Sequence, residues 1–336
     1  MNTRILFSDN DSDLKQAAKI IINGGLVAFP TETVYGLGGN ALDEKSSEKI
    51  YKAKGRPSDN PLIIHLAFPG DASNYSVVND EYLALAREFM PGPLTVILPK
   101  KDNIPYKTTG GLDSVAIRVP EHKTAHRLIE LAGVPIAAPS ANISGKPSPT
   151  STSHVIADMM GKIDAIISGD NSEVGVESTI ISLVTDVPTI LRPGAVTLEM
   201  IKEILPNVQL SSAVLGKYEG APLSPGMRYK HYSPNANVTI LEGDYEKIVE
   251  FLSKQTDSGK LCFEEDTEIL SMKNSISYGS KNDSLSQANR LFSCLRDFDT
   301  KNEITQIYSR MPSKDGVGLA VLNRLIRAAG FNIIKL

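Results

Sequence analysis

Short apolar runs alternate with amphipathic stretches from Leu14 to Ile204, and this alternation confines the chain to the α/β class more tightly than any other feature. Leu14, Ala17, Ala18, Ile21 and Ile22 recur at helical spacing, Gly24 and Gly25 supply a stop, and Leu26–Phe29 comes next as a short buried strand. The same reading places helices over 44–53, 81–89, 122–131, 152–160 and 198–204. It places strands over 62–66, 94–98, 115–119, 135–138, 165–168 and 179–184. No crossover helix fits between 165–168 and 179–184, so the sheet is expected to be mixed.

A length of 336 residues exceeds what one core usually holds, and two domains are expected. The first spans 1–205. Residues 206–236 form a proline-rich inter-domain linker, with Pro222, Pro225 and Pro234 beside Arg228, Lys230 and His231. A second, smaller alternation fills 237–336, with strands over 238–241, 260–263 and 304–308 and helices over 245–252, 285–295 and 319–329. The net charge of −4 argues against a basic nucleic-acid coat, so any RNA contact has to be local. Cys262 and Cys294 lie far apart and outside any CxxC pair, which reads as two buried thiols in a reducing compartment. No apolar run approaches the ~20 residues of a membrane helix, and Met1–Asn10 has no signal-peptide pattern, so a cytoplasmic protein with no membrane association is expected.

The chemistry is expected in the loops at strand ends, where open α/β sheets bind ligands. In Pro30-Thr-Glu-Thr-Val-Tyr-Gly-Leu-Gly-Gly-Asn-Ala41, Gly36, Gly38 and Ala41 match G-x-G-x-x-A. The dinucleotide fingerprint needs its glycines at the strand-to-helix turn, and residues 30–35 intervene here, so a tight turn fits equally well. Thr31, Thr33 and Tyr35 offer hydroxyls, and Glu32 reads as a local cap in preference to a general base. Lys52, Lys54 and Arg56, with Asn60, fall where a helix gives way to a Gly/Pro loop and read as a polyanion clamp. His65, inside a strand, reads as a satisfied core polar group. Arg118 lies among strand apolars, and a buried arginine needs an anion, either a structural carboxylate or a substrate's.

Ala137–Ser148 is short of large apolars and rich in donors such as Ser140, Asn142, Ser144 and Ser148. Gly175–Thr179 and Leu191–Gly194 suit either plain turns or ligand contacts through Ser178 and Arg192. There is no G-x-x-x-x-G-K-[ST] and no H-E-x-x-H, and the five histidines make no metal-ligand spacing. His122 and His126 lie at i, i+4 without a third ligand and read as surface residues. These readings stop at an anion-binding α/β enzyme or module that uses ATP or RNA.

Several motifs in order carry the reading further. Lys52-x-Lys-x-Arg56 with Asn60-Pro61, Pro139-Ser-Ala-Asn142 with Ser148-Pro-Thr150, and Glu177-Ser-Thr179 with Leu191-Arg-Pro-Gly194 resemble the YrdC-like threonylcarbamoyl-AMP synthases. Pro30–Gly39 resembles that family's opening signature, and the match runs from about Leu14 to Thr197. Ser224–Pro234 and the second domain resemble the long, two-domain form. The resemblance implies a twisted mixed-sheet catalytic domain, a small Rossmann-like α/β C-terminal domain, and a linker that closes over the active site. It implies synthesis of L-threonylcarbamoyl-AMP from threonine, bicarbonate and ATP, with magnesium held through the ATP phosphates. The implied partners are a downstream threonylcarbamoyl transferase complex and, transiently, tRNA.

Carried over by position, the threonine pocket is Thr33, His65, Arg118, Ala138 and Ser178. The ATP site is Arg56, Asn60, Ser114, Ser140, Ser148, Arg192 and Tyr232, with Lys52 and Lys54 adding charge. Lys54, Arg56, Arg118 and Ser140 are the expected catalytic groups. Three rivals stand beside this reading: a double-stranded RNA module, a hydrogenase-maturation carbamoyl-transfer protein and a nicotinamide oxidoreductase.

Overall fold

The computed structural model describes residues 2–216, 231–301 and 303–336. The chain divides into two compact units, Met1–Ser144 with Ser148–Met227, and Gly145–Pro147 with Arg228–Leu336.

Among the described residues the first unit holds an 11-stranded sheet. Its strands are β1 (Arg4–Phe7), β2 (Val27–Phe29), β3 (Gly36–Asn40), β4 (Ile63–His65), β5 (Leu94–Pro99) and β6 (Ser114–Arg118). β7 (Ile136–Ala137), β8 (Ala165–Ser168), β9 (Thr179–Ser182), β10 (Thr189–Arg192) and β11 (Gln209–Leu210) complete it. The order is β1-β8-β2-β3-β7-β4-β6-β5-β9-β10-β11. The sheet is mixed, as the missing crossover implied: β4–β6 and β5–β9 are parallel, whereas β5–β6 and β9–β10 are antiparallel. Helices begin where the side chains dictate. Asn10 Oδ1 accepts from the amides of Ser12 and Asp13 to start helix Asp11–Ile22. Asp43 caps Glu44–Lys54, which ends at Gly55 with φ 62°.

Period-2 alternation sorts the central strands into two faces. Ile64, Val96, Leu98, Val115, Ile117 and Ile181 face the main core. Ile63, Ile97, Ala116, Ile180 and Leu191 form a separate apolar strip, against which Ala213 packs.

In this unit β1, β3 and the two-residue β11 escape the hydrophobic pattern. β1 is an edge strand with only Leu6 buried. β3 reads as a glycine loop in sequence, yet it is a strand paired with β2 and β7. Its glycines make room for a ring: a Cβ at Gly38 would lie 2.8 Å from Phe29 Cε1 and 2.9 Å from Ile136 Cγ2. Gly36 and Gly38 therefore belong to a ladder and not to a phosphate-binding turn, which removes the basis of the nicotinamide reading. The expected linker at 206–236 also begins too early, because β11 pairs parallel with β10 and Ala213 and Val214 are buried. Its central part, 217–230, lies outside the described residues.

The second unit is a five-stranded parallel sheet in the order β14-β13-β15-β12-β16. Its strands are β12 (Asn237–Glu242), β13 (Gly259–Cys262), β14 (Ser275–Ser277), β15 (Gln306–Arg310) and β16 (Ile333–Lys335). Helices Tyr245–Ser253, Ser284–Asp299 and Gly316–Ala328 connect them, which makes the unit Rossmann-like. Within it Ser233 N donates to Gly145 O at 2.8 Å, and Arg296 Nε and Nη2 donate to Pro147 O at 3.1 and 2.6 Å. Cys262 and Cys294 are buried free thiols, and burial pushes both up to about 12.

Candidate active site

The apolar strip of the first unit ends in a row of polar side chains on the same sheet face. His65 and Thr95 are the register partners of Arg118 from β4 and β5. Directly opposed residues share a face, so the three side chains stand together. Ser178, just before β9, joins the row through a 2.7 Å bond between its Oγ and Thr95 Oγ1. Arg192, at the end of β10, donates from Nε to Ser178 O at 3.1 Å and from Nη2 to Ser178 Oγ at 3.3 Å. The row runs His65, Arg118, Thr95, Ser178, Arg192, and it holds two guanidinium groups that are only 4% and 6% exposed.

Arg118 finds its anion in the 30–35 loop, where Glu32 Oε1 accepts from Nη2 at 2.7 Å. Glu32 is therefore a long-range ion-pair partner and not the local cap the sequence favoured. Glu32 Oε2, Arg118 Nε, His65 Nδ1 and Asn60 Oδ1 are buried without a hydrogen-bond partner among the described residues. Burial, with the neighbouring Arg118 charge, pulls His65 down to about 3, so it faces the row as a neutral imidazole. Burial also lowers His122, against the pull of Glu32, Asp170 and Glu173.

A second group of residues surrounds the loop after β7. Lys54 is 2% exposed, and its ammonium donates to Ser140 O, to Asn142 O at 2.6 Å and to Asn142 Oδ1 at 3.3 Å. Ser140 Oγ also bonds Asn142 Oδ1. Arg56 Nη2 donates to Asn60 O at 3.3 Å and Pro61 O at 3.0 Å. Lys52 is exposed. The three cations that spacing grouped as one clamp thus diverge. Lys54 staples the Ser140–Asn142 loop whereas Lys52 faces solvent, because i, i+2 residues on a helix point to different sides, and Arg56, past the helix end at Gly55, braces Asn60–Pro61.

Ser148 Oγ donates to Glu177 Oε1, with both side chains buried. Ala138 N donates to Ile63 O at 2.9 Å, which sets the β7 loop beside the apolar strip. Thr33 is buried with its Oγ1 3.0 Å from Thr31 Oγ1. Ser114 opens β6 half-buried, four residues before Arg118 and about 13 Å along the strand. Tyr232 belongs to the second unit, where it is buried at φ 64° with its ring 5.1 Å from that of Phe292. Sequence reasoning missed Thr95 and Glu177. Thr95 carried a signal, since a hydroxyl interrupting Leu94–Leu98 on the Ile97 side of the strand is the pattern that marked Arg118. Glu177 adjoins Ser178 but shows its role only once Ser148 is placed beside it.

The arrangement offers buried cations, neutral donors and an apolar strip on one sheet face, which suits an anionic ligand with an uncharged portion. A family described as Telomere recombination (Sua5/YciO/YrdC) matches residues 19–194. A second, described as Threonylcarbamoyl-AMP synthase, C-terminal domain, matches residues 196–330. A threonylcarbamoyl-AMP synthase of Pyrococcus abyssi is 45% identical over 96% of this chain and 95% of its own length. The Bacillus subtilis counterpart is 42% identical over 98% and 96%. The solved structure of P. abyssi Sua5 complexed with L-threonine covers 100% of both chains at a TM-score of 0.92 and 41% identity. That of a double variant of the same protein, with a neighbouring histidine and tyrosine both replaced by alanine, covers 99% and 98% at 0.93 and 42%.

Proposed function

The chain belongs to the threonylcarbamoyl-AMP synthase family, and on that premise we propose that it is a nucleotidyltransferase making L-threonylcarbamoyl-AMP and pyrophosphate from L-threonine, bicarbonate and ATP. The observation that carries the reading within this chain is the polar row from His65 to Arg192. It supports the reading because His65, Arg118 and Ser178, assigned to threonine, and Arg192, assigned to ATP, fall in one row by strand register and hydrogen bonds.

In this reading Arg118 grips the threonine carboxylate, with Thr33, Ala138, Ser178 and neutral His65 around the rest of the amino acid. Bicarbonate, or carbon dioxide, carboxylates the amine. A carbamate oxygen then attacks the α-phosphorus of ATP, and pyrophosphate leaves. Arg56, Asn60, Ser114, Ser140, Ser148 and Arg192 serve the nucleotide. Catalysis comes from positioning and from cations facing the charge that develops on phosphorus. Magnesium would be held through the ATP phosphates and would neutralise their charge. Tyr232, assigned to the nucleotide by resemblance, belongs to the second unit. Lys54 acts through the loop it holds and not on phosphate directly.

The product goes to a separate threonylcarbamoyl transferase acting on tRNA, and direct tRNA contact is transient. Among the described residues no helix is long and apolar enough to cross a membrane, and we assign the protein to the cytoplasm. The test is ATP–pyrophosphate exchange. Exchange is expected only when threonine and bicarbonate are both present. Salt-sensitive binding of double-stranded RNA without exchange would replace this reading with an RNA-binding module.

A further inference from the structure

The threonine proposed to sit on Arg118 is a zwitterion, and the residues assigned to it supply one cation and no anion. His65 does not fill the gap, since burial keeps its imidazole neutral. An ammonium group placed among side chains this deeply buried needs an acceptor, because a buried charge without a partner is strongly unfavourable.

Glu32 stands where that acceptor is required. Its side chain is 6% exposed, its Oε1 takes Arg118 Nη2 at 2.7 Å, and its Oε2 is buried with no hydrogen-bond partner among the described residues. Arg118 Nε is in the same condition. The ion pair thus offers an uncommitted donor and an uncommitted acceptor side by side, with opposite charges in direct contact. An α-amino acid carries its carboxylate and its ammonium on one carbon, which is the complementary arrangement.

We infer that Glu32 is the specificity-determining residue for the α-amino group of threonine, with Oε2 accepting from the nitrogen while Arg118 holds the carboxylate. The inference rests on the proposed function above and adds to it a means of fixing the atom that must be carboxylated. Glu177, adjoining Ser178, is another buried carboxylate, but its Oε1 is engaged by Ser148, a residue assigned to the nucleotide.

The test compares L-threonine with (2S,3R)-2,3-dihydroxybutanoate, the same molecule with a hydroxyl in place of the amine, by calorimetric titration of the full chain. The wild-type protein is expected to prefer threonine. In Glu32→Gln that preference should shrink by about 10- to 100-fold, the worth of one hydrogen bond to a charged group. If Glu32 merely steadied Arg118, both ligands would weaken equally, since both carry the carboxylate, and an unchanged preference would overturn the inference. Loss of the preference in Glu177→Gln but not in Glu32→Gln would overturn it too.

ATP binding by each variant reports its fold. Should Glu32→Gln fail to bind ATP, wild-type crystals soaked with threonine decide: nitrogen within about 3.2 Å of Oε2 supports the assignment, and nitrogen beyond about 4 Å rejects it. A wild-type chain that binds neither ligand fails the proposed function itself, an outcome distinct from threonine binding without the amine preference.

Discussion

Lys54 is tolerated at 2% exposure because loop oxygens of Ser140 and Asn142 surround its Nζ. Lys54→Met preserves the stem and strands those acceptors. The variant should lose about 2–4 kcal/mol of stability and bind ATP more weakly, whereas exposed Lys52→Met should stay within about 0.5 kcal/mol of wild type. Urea midpoints measure both, and a Lys54→Met protein as stable as wild type would return Lys54 to the phosphate clamp. His65 gives a pH prediction. Its folded value of about 3 lies below the ordinary 6.5, so as pH falls below 6.5 the unfolded chain takes up a proton that the folded chain refuses. The native state should lose stability at about 1.4 kcal/mol per pH unit from this one group, from pH 6.5 down toward 3. The stability–pH curve of His65→Gln should be flatter by that slope between pH 6 and 5, and equal slopes would show that His65 titrates normally. At this scale the sequence announced needs but not the partners that meet them. Arg118 among strand apolars demanded an anion, yet nothing local pointed to Glu32, 86 positions away.

Elements with an apolar period were legible because burial itself writes the period: helices at 44–54 and 198–204 and strands at 94–99 and 165–168 fall within a residue or so of expectation. β3 was not, because Gly36 and Gly38 carry no side chain and are covered by Phe29 of the neighbouring strand, which leaves Leu37 as the buried apolar residue between them. Gly38→Ala tests this account. The new methyl would meet Phe29 and Ile136 below 3.0 Å, and the variant should lose about 1–3 kcal/mol. Adding Phe29→Leu removes the ring atoms that collide, so the double variant should fall short of additivity, recovering part of the Gly38→Ala penalty in a double-mutant cycle. Strict additivity would mean that the glycines answer some other constraint. The site inherits this geometry, since the loop from Pro30 to Tyr35 that delivers Glu32 and Thr33 is bounded by β2 and β3, and the pairing of those strands fixes its ends.

On the scale of the chain, composition shifts located two α/β units but misplaced the end of the first. Proline density drew the boundary at 205, whereas the described fold continues: β11 extends the sheet beside β10, and Ala213 packs against Ile63, Ile97, Ala116, Ile180 and Leu191. Two residues of strand and one turn of 3₁₀ helix are too short to show a period, so the segment looked like linker. The packing nevertheless has a measurable consequence. A chain ended after Leu205 loses Val208, Ala213 and Val214, which are at most 5% exposed, and uncovers the apolar strip beside the polar row. A chain ended after Gly216 keeps them. The longer fragment should be more stable by about 3–6 kcal/mol, two buried valines and one alanine at the usual transfer energies, and less prone to aggregate. Urea unfolding of the two fragments side by side measures the difference. Equal midpoints would mean that residues 206–216 only decorate the strip. A large gap would make them the last piece of the catalytic unit, the piece that covers the apolar strip beside Arg118 and Arg192.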